Sequence, residues 1–186
     1  MQATMTQKVN GIDVEALGAL QNEVRKNPAS GKARFSATTR WRGGARSETE
    51  IDGWSLGGRT LPRHFSIPID EPPELLGKST APNPQEVLMA GINACMMATY
   101  VAVSSAMGIP LEHVQIETTG ELDLRGFLGI DKSVNPGYDE IQATVRIKGD
   151  GTPEQFRKVH DAVLATSPNY SNVIKPIRFS PRLVVE

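Results

Sequence analysis

An α+β fold with mainly antiparallel sheet is what this sequence predicts, and three observations predict it. Short β-prone runs come in groups instead of alternating strictly with helices. One long uncharged stretch, Val87 to Leu111, has the length and composition of a central helix. Glycine and proline punctuate the chain on both sides of that stretch at turn-like intervals. At 186 residues the chain fits one domain. We expect residues 1–32 to form a helical N-terminal extension and residues 33–186 the domain itself.

Asp13 to Asn27 carries Val14, Leu17 and Val24 on one stripe with Glu15, Glu23, Arg25 and Lys26 off it, which is the pattern of a short amphipathic helix. Pro28, Ser30 and Gly31 end it. Arg34–Trp41, Thr49–Leu56 and His64–Ile69 then read as a three-stranded meander, separated by Gly43-Gly44 and Gly57-Gly58. Asp70 to Pro84 is a proline-rich connector. Asn83 caps the central helix with Pro84 in its first turn, and Gly108 and Pro110 stop it after about Met107. Val114–Leu124 and Glu140–Lys148 are two further strands. Thr152-Pro153-Glu154 opens a helix whose inner face is Phe156, Val159, Val163 and Leu164. Ser167-Pro168 breaks it, Asn169–Asn172 is a turn, and Ile177–Val185 is expected to be a last strand.

Neither sign of charge predominates: 22% of residues are charged and the net charge is −1, so the chain lacks the electrostatic footprint of a nucleic-acid or anionic-membrane binder. A small molecule or another protein is the expected partner. The uncharged run is long enough to raise a membrane span. Asn93, Thr99, Ser104 and Ser105 within it, and Pro110 closing it, favour a core helix instead. A helix apolar on nearly every side needs cover on nearly every side, and a second subunit supplies it; a homodimer is the expectation. The first dozen residues lack the apolar segment and small-residue cleavage site of a secretory signal. A lone cysteine cannot build an intrachain disulfide framework. Together these set a cytoplasmic expectation.

That cysteine, Cys95, lies inside the uncharged run, on a helical stripe with Leu88, Gly91, Ala98, Thr99 and Ala102. Most of these are small, so another helix can come close there. Two readings are open: a small buried hydrophobe, or a sheltered nucleophile, which requires a cation or dipole to offset apolar burial. His64, His113 and His160 are scattered, and no His/Cys/acid spacing suggests a metal site. No cofactor is expected either. Gly53-Trp54-Ser55-Leu56-Gly57 matches Gly-x-Ser-x-Gly, but a β-like run follows it where a nucleophile elbow requires a helix.

Two windows carry a resemblance. Asn83-Pro84-Gln85-Glu86-Val87-Leu88-Met89-Ala90-Gly91-Ile92-Asn93-Ala94-Cys95 resembles the motif with which OsmC/Ohr proteins place the first of two reactive cysteines on a central helix. Ser167-Pro168-Asn169-Tyr170-Ser171-Asn172 resembles the second motif, where a Cys-Pro pair supplies the other thiol. The element order is similar from about Ala33 to Glu186. The resemblance implies an intertwined homodimer of antiparallel sheets around a long central helix, with each site at the subunit interface. It also implies thiol-based reduction of hydroperoxides in oxidative stress defence, assisted by an arginine of the early sheet and a glutamate at the start of the central helix.

The chain departs from the pattern twice. Ser167 stands at the second-cysteine position, and a hydroxyl cannot close a disulfide. Gln85 falls where the glutamate would be, with the acid one place later at Glu86. Arg46 is the best match to the arginine and Arg42 the competitor, while Glu86 orients such an arginine or simply answers the helix dipole. His160 and Gly91 are candidate pocket residues, and His160 has the alternative role of a satisfied core histidine. The expectation is a one-cysteine thiol peroxidase that needs an external thiol reductant. The alternative is a non-enzymatic binding protein that holds an apolar small molecule at the dimer interface.

Overall fold

Residues that tolerate positive φ decide where this chain reverses, and the computed structural model, which describes residues 8–186, shows it first at Asn10-Gly11 (φ 52° and 80°). These two join β1 (Lys8–Val9) to β2 (Ile12–Asp13), a small hairpin that the sequence reading missed. Asp13 then caps α1 (Val14–Lys26), its carboxylate accepting the Ala16 N–H at 2.9 Å. Val14, Leu17 and Val24 are half-buried, and no α1 residue is fully buried. The described residues form two compact units, one reaching to Ala90 and the other spanning Gly91–Glu186.

In the first unit the expected meander has four strands instead of three. The first predicted strand breaks at Ser36-Ala37 into β3 (Ala33–Phe35) and β4 (Thr38–Trp41), both of which pair antiparallel with β5 (Ser47–Leu56). β6 (Arg59–Ile69) pairs along the other edge of β5, across a register shift between Ile51 and Gly53. Gly57 and Gly58, at φ 55° and 80°, make the two-residue turn whose backbone twist matches the flanking strands. Cross-strand partners share a face, which sets Phe35 beside Trp54 and Arg40 beside Glu48. Phe35 stacks on Trp54 at 5.4 Å, with the Arg63 guanidinium 6.0 Å from the Trp54 ring and 5.7 Å from Phe65. Charge laces the same sheet: Arg40 pairs with Glu50, Arg42 with Glu48, and His64 with Asp52.

The connector after β6 is folded around one carboxylate. Asp70 is 1% exposed, and it accepts the N–H groups of Glu71 (2.9 Å), Lys78 (3.3 Å) and Thr80 (3.1 Å) and the Thr80 hydroxyl (2.7 Å). The Thr80 hydroxyl first, then the backbone donors, hold its carboxyl below the ordinary carboxylate value against the opposing effect of burial.

α2 (Pro84–Ala106) starts where expected and ends two residues before Gly108. Asn83 and Glu86 form a reciprocal capping box: the Glu86 N–H donates to Asn83 Oδ1 at 2.8 Å and the Asn83 N–H to Glu86 Oε2 at 2.7 Å. At the other end the Gly108 N–H bonds the Ser105 carbonyl and the Ile109 N–H bonds the Ser104 carbonyl, with Gly108 at φ 67°. That is the Schellman closure. Ile109, 2% exposed, buries the accompanying hydrophobic contact.

In the second unit β7 (Leu111–Gly120) and β8 (Ile141–Gly149) form an antiparallel pair, and their connection contains the short α3 (Leu124–Phe127). Val114, Ile116, Ile141, Val145 and Ile147 pack on a core of Ile92, Met96, Tyr100, Ile109, Val159 and Val163. Burying each large apolar side chain of such a core contributes about 1.5–3 kcal/mol. Outward-facing Arg146 and Glu117 form an ion pair. α4 (Pro153–Thr166) opens with the Thr152/Gln155 capping box and contributes Val159 and Val163.

Two expectations fail after α4. The predicted turn at Asn169–Asn172 is a short helix, α5 (Pro168–Ile174). No strand forms over Ile177–Val185; Ile177, Phe179, Leu183 and Val185 are instead 61–87% exposed. Alternation makes a segment ready for a sheet, but a strand also needs a partner strand, and this segment pairs with none of the described ones.

Asp70→Asn should melt below the native protein at neutral pH, because amide hydrogens would face the N–H groups that now converge on a carboxylate. A depressed folded pKa gives stability that is present above the ordinary value and lost as pH falls through the folded one. The gap between the two thermal midpoints should therefore start to close below about pH 3.9. A gap that stays constant down to pH 2 would assign the loss to packing alone.

Candidate functional site at Cys95

Cys95 is a free thiol on the middle of α2, half-buried, and its sulfur accepts two hydrogen bonds. The Ser167 hydroxyl donates to Sγ at 3.6 Å and the Asn169 backbone N–H at 3.5 Å. Helix breaking at Ser167-Pro168 makes this possible. Ser167 ends α4, its N–H bonding the Val163 carbonyl at 2.8 Å, and it also stands at the N-cap of α5. A serine there normally turns its hydroxyl onto the new helix's first amides. Ser167 makes no such cap; its hydroxyl goes to the sulfur 72 positions earlier, and the sulfur takes up the Asn169 amide. Ser167 itself is 1% exposed.

The Asn169 side chain adds a second tie. Its Nδ2 donates to the Gly91 carbonyl at 2.8 Å, one helical turn before Cys95. Gly91 leaves room there, since a Cβ at that position would stand 3.9 Å from Nδ2. Polar groups of α2 around Cys95 are also partnered: Thr99 Oγ1 donates to the Cys95 carbonyl at 2.9 Å, and Asn93 accepts from the Thr118 hydroxyl.

His160 occupies a different surround. Its Nδ1 is hydrogen-bonded to the Tyr100 hydroxyl, and burial pushes the Tyr100 phenol up to about 12. The His160 ring, with Ile92, Met96, Ile141, Leu164 and Tyr170, lines a mostly apolar cavity of about 260 Å³. Neither Cys95 nor Gly91 belongs to that lining. Among the described residues there is no cluster of His, Cys, Asp and Glu able to hold a metal ion.

Arg46, Gln85 and Glu86 belong to the first unit, and Gly91, Cys95, His160 and Ser167 to the second. Arg46 is exposed in the β4–β5 turn, where its N–H bonds the Gly43 carbonyl at 3.1 Å and its carbonyl receives the Arg42 N–H at 2.8 Å. It forms no salt bridge among the described residues, whereas Arg42 is held by Glu48 at 2.9 Å. The Ser66 hydroxyl and then Arg42 keep the Glu48 carboxyl below its ordinary value. Glu86 is engaged in the capping box, and Gln85 beside it is exposed. Sequence reasoning missed Asn169, because nothing local marks a residue whose two bonds both reach back more than seventy positions.

The sequence pattern of the family described as OsmC-like protein matches residues 77–181, more than half of the chain. This chain belongs to the OsmC-like family. The match includes Cys95, Ser167 and Asn169, so the contact at the sulfur lies within the family's own region. No curated protein sequence matches this OsmC-like chain. Among solved structures, it is similar to an OsmC-like protein from Mycoplasma pneumoniae (16% identity, TM-score 0.60, covering 76% of this chain and 87% of that one). It is also similar to a candidate osmotic stress induced and detoxification response protein from Psychrobacter arcticus (16%, 0.56, 73% and 85%). A third is an OsmC-like protein of unknown function from Vibrio cholerae (15%, 0.54, 74% and 92%). At these identities the likeness is one of fold.

The separation of Ser167 Oγ and Cys95 Sγ generates a direct test. Ser167→Cys should yield a peroxide-induced disulfide, seen as loss of two free thiols per chain and reversed by dithiothreitol, since a disulfide requires Cα atoms within ~7 Å. Retention of both thiols under oxidant would show that the two side chains do not meet in solution.

Proposed function

We propose that this OsmC-like chain is a one-cysteine thiol peroxidase that reduces hydroperoxides, organic ones included, at Cys95. The observation that carries the reading is the pair of donors, Ser167 Oγ–H and Asn169 N–H, directed at Cys95 Sγ. Donors of this kind favour sulfur in its anionic, nucleophilic form. In the first step the thiolate attacks the outer oxygen of the hydroperoxide. An S–O bond forms as the O–O bond breaks, and the alkoxide leaves as the alcohol once protonated; sulfur is oxidised to sulfenate and the hydroperoxide is reduced. Ser167 has no sulfur with which to resolve that sulfenate. A first external thiol therefore condenses with the sulfenic acid, giving a mixed disulfide and water. A second external thiol then attacks the reductant's sulfur in that mixed disulfide; the S–S bond to Cys95 breaks, the Cys95 thiolate leaves, and the reductant is released as its own disulfide. We assign Arg46 to assist as the cation and Glu86 to shape the start of the helix, with Gln85 beside it; Arg46 carries no salt bridge among the described residues.

The assembly we propose is a homodimer in the cytoplasm, with α2 as a core helix. Two features support it. By length and composition α2 is apolar enough to cross a membrane, yet Ile92, Met96 and Tyr100 pack into a protein core, and its Gly91, Ala94 and Ala98 are exposed in the single chain. The four-stranded sheet also leaves aromatic rings open, with Phe35 67% and Phe65 56% exposed. Apolar surface of that kind is what association covers. A second reading, favoured by the cavity of about 260 Å³ beside His160, is a binding protein for a small apolar molecule with Cys95 inert.

Cys95→Ser should abolish thiol-dependent hydroperoxide consumption and leave the fold and assembly intact. Consumption equal to that of the native protein would remove the peroxidase reading and leave the binding one. Sedimentation at micromolar concentration should give a mass close to 40 kDa, roughly twice that of the 20.2 kDa chain. A 20 kDa species under the same conditions would exclude the dimer.

A further inference from the structure

We infer that Asn169 is a positioning residue for Cys95, holding the first turn of α5 against α2 so that two donors stay aimed at the sulfur. This rests on the reading of Cys95 as a nucleophile and adds to it a residue outside the Cys, Ser and Arg set. Asn169 is the one residue among those described that is bonded both to the sulfur and to the helix that carries it: N–H to Cys95 Sγ at 3.5 Å and Nδ2 to the Gly91 carbonyl at 2.8 Å. Local turn stabilisation does not account for the side chain. Asparagine near a helix start usually turns back on its own segment, whereas this amide crosses to a residue 78 positions earlier. The tie also bears on Ser167. Ser167 and Asn169 flank Pro168, whose ring restricts φ, so the fixed turn limits how far the Ser167 hydroxyl can swing from Sγ, 3.6 Å away.

A positioning role and a merely structural one predict opposite signs. If Asn169 only stabilised α5, removing its side chain would loosen the cover over Cys95, and native-state alkylation would speed up. If it aims the donors, alkylation slows, because the thiolate is the form that attacks and losing aimed donors withdraws its stabilisation. The experiment is the second-order rate of iodoacetamide reaction with Cys95 at pH 7 in the full chain, for native protein, Asn169→Ala and the near-isosteric Asn169→Leu. The second variant serves if the first does not fold, and circular dichroism and thermal midpoint are measured in parallel. The expected result is a rate about three-fold lower or less than that, from the loss of one hydrogen-bonded tie. Asn169→His keeps an N–H donor at similar reach and should recover most of the native rate. An unchanged or faster rate in the Ala or Leu variant overturns the inference, as does a His variant as slow as Leu. Hydroperoxide consumption by the native protein is scored separately. A native chain that consumes no hydroperoxide but shows the slowed alkylation loses the peroxidase reading and keeps this one; the converse result loses only this one.

Discussion

Apolarity all around α2 is the constraint on which the rest of the second unit depends. A 23-residue helix with only Glu86 charged favours cover on every face, and within the chain neighbouring elements cover one of them. The Ile92–Met96–Tyr100 stripe is covered by the inward side chains of β7 and β8 and by Val159 and Val163 of α4. The alternating register of β7 and β8 makes this possible: Val114, Ile116, Val145 and Ile147 turn in, while Glu117 and Arg146 pair outside. Two termini with complete caps let so apolar a helix start and stop cleanly, with the Asn83–Glu86 box at one end and the Gly108 closure at the other.

Covering the Cys95 side calls for something different, because that side carries hydrogen-bonding backbone as well as apolar surface. The α4–α5 junction supplies donors where a continuous helix would have none. Pro168 interrupts the ladder, freeing the amide of Asn169 and the hydroxyl of Ser167, and both find sulfur. In this way a thiol in an apolar helix acquires two polar neighbours, a hydroxyl and a backbone amide. Glu86, the charge nearest to it along α2, is engaged at the helix start instead, its carboxylate on the Asn83 N–H.

The first unit follows the same logic with sheet in place of helix. Cross-strand pairs tie its strands together through ion pairs and the Phe35–Trp54 stack, and a buried Asp70 with four donors closes the connector that leads to α2. Arg63 makes a different kind of contact. It lies over the Trp54 and Phe65 rings, an arrangement that a planar, weakly hydrated guanidinium tolerates and an ammonium would not share equally.

By itself the sequence determined what depends on neighbours along the chain. Capping residues set both ends of α2 and the start of α4, glycine pairs set the hairpin turns, and alternation set β7 and β8 to within a few residues. The family was legible as well, since its two motifs are contiguous. The tertiary structure decided everything that depends on a partner far away. The break at Ser36-Ala37 divides a run whose composition is uniformly β-prone. Asn169–Asn172 looks like a turn in isolation and becomes helical after Pro168. Ile177–Val185 has the pattern of a strand but pairs with no described strand, so alternation alone leaves it without a ladder. Most of all, the two bonds of Asn169 and the turning of the Ser167 hydroxyl from its own helix to Cys95 are contacts across more than seventy positions. No local preference encodes such contacts; they exist because packing of α4 and α5 against α2 brings the donors within reach of the sulfur.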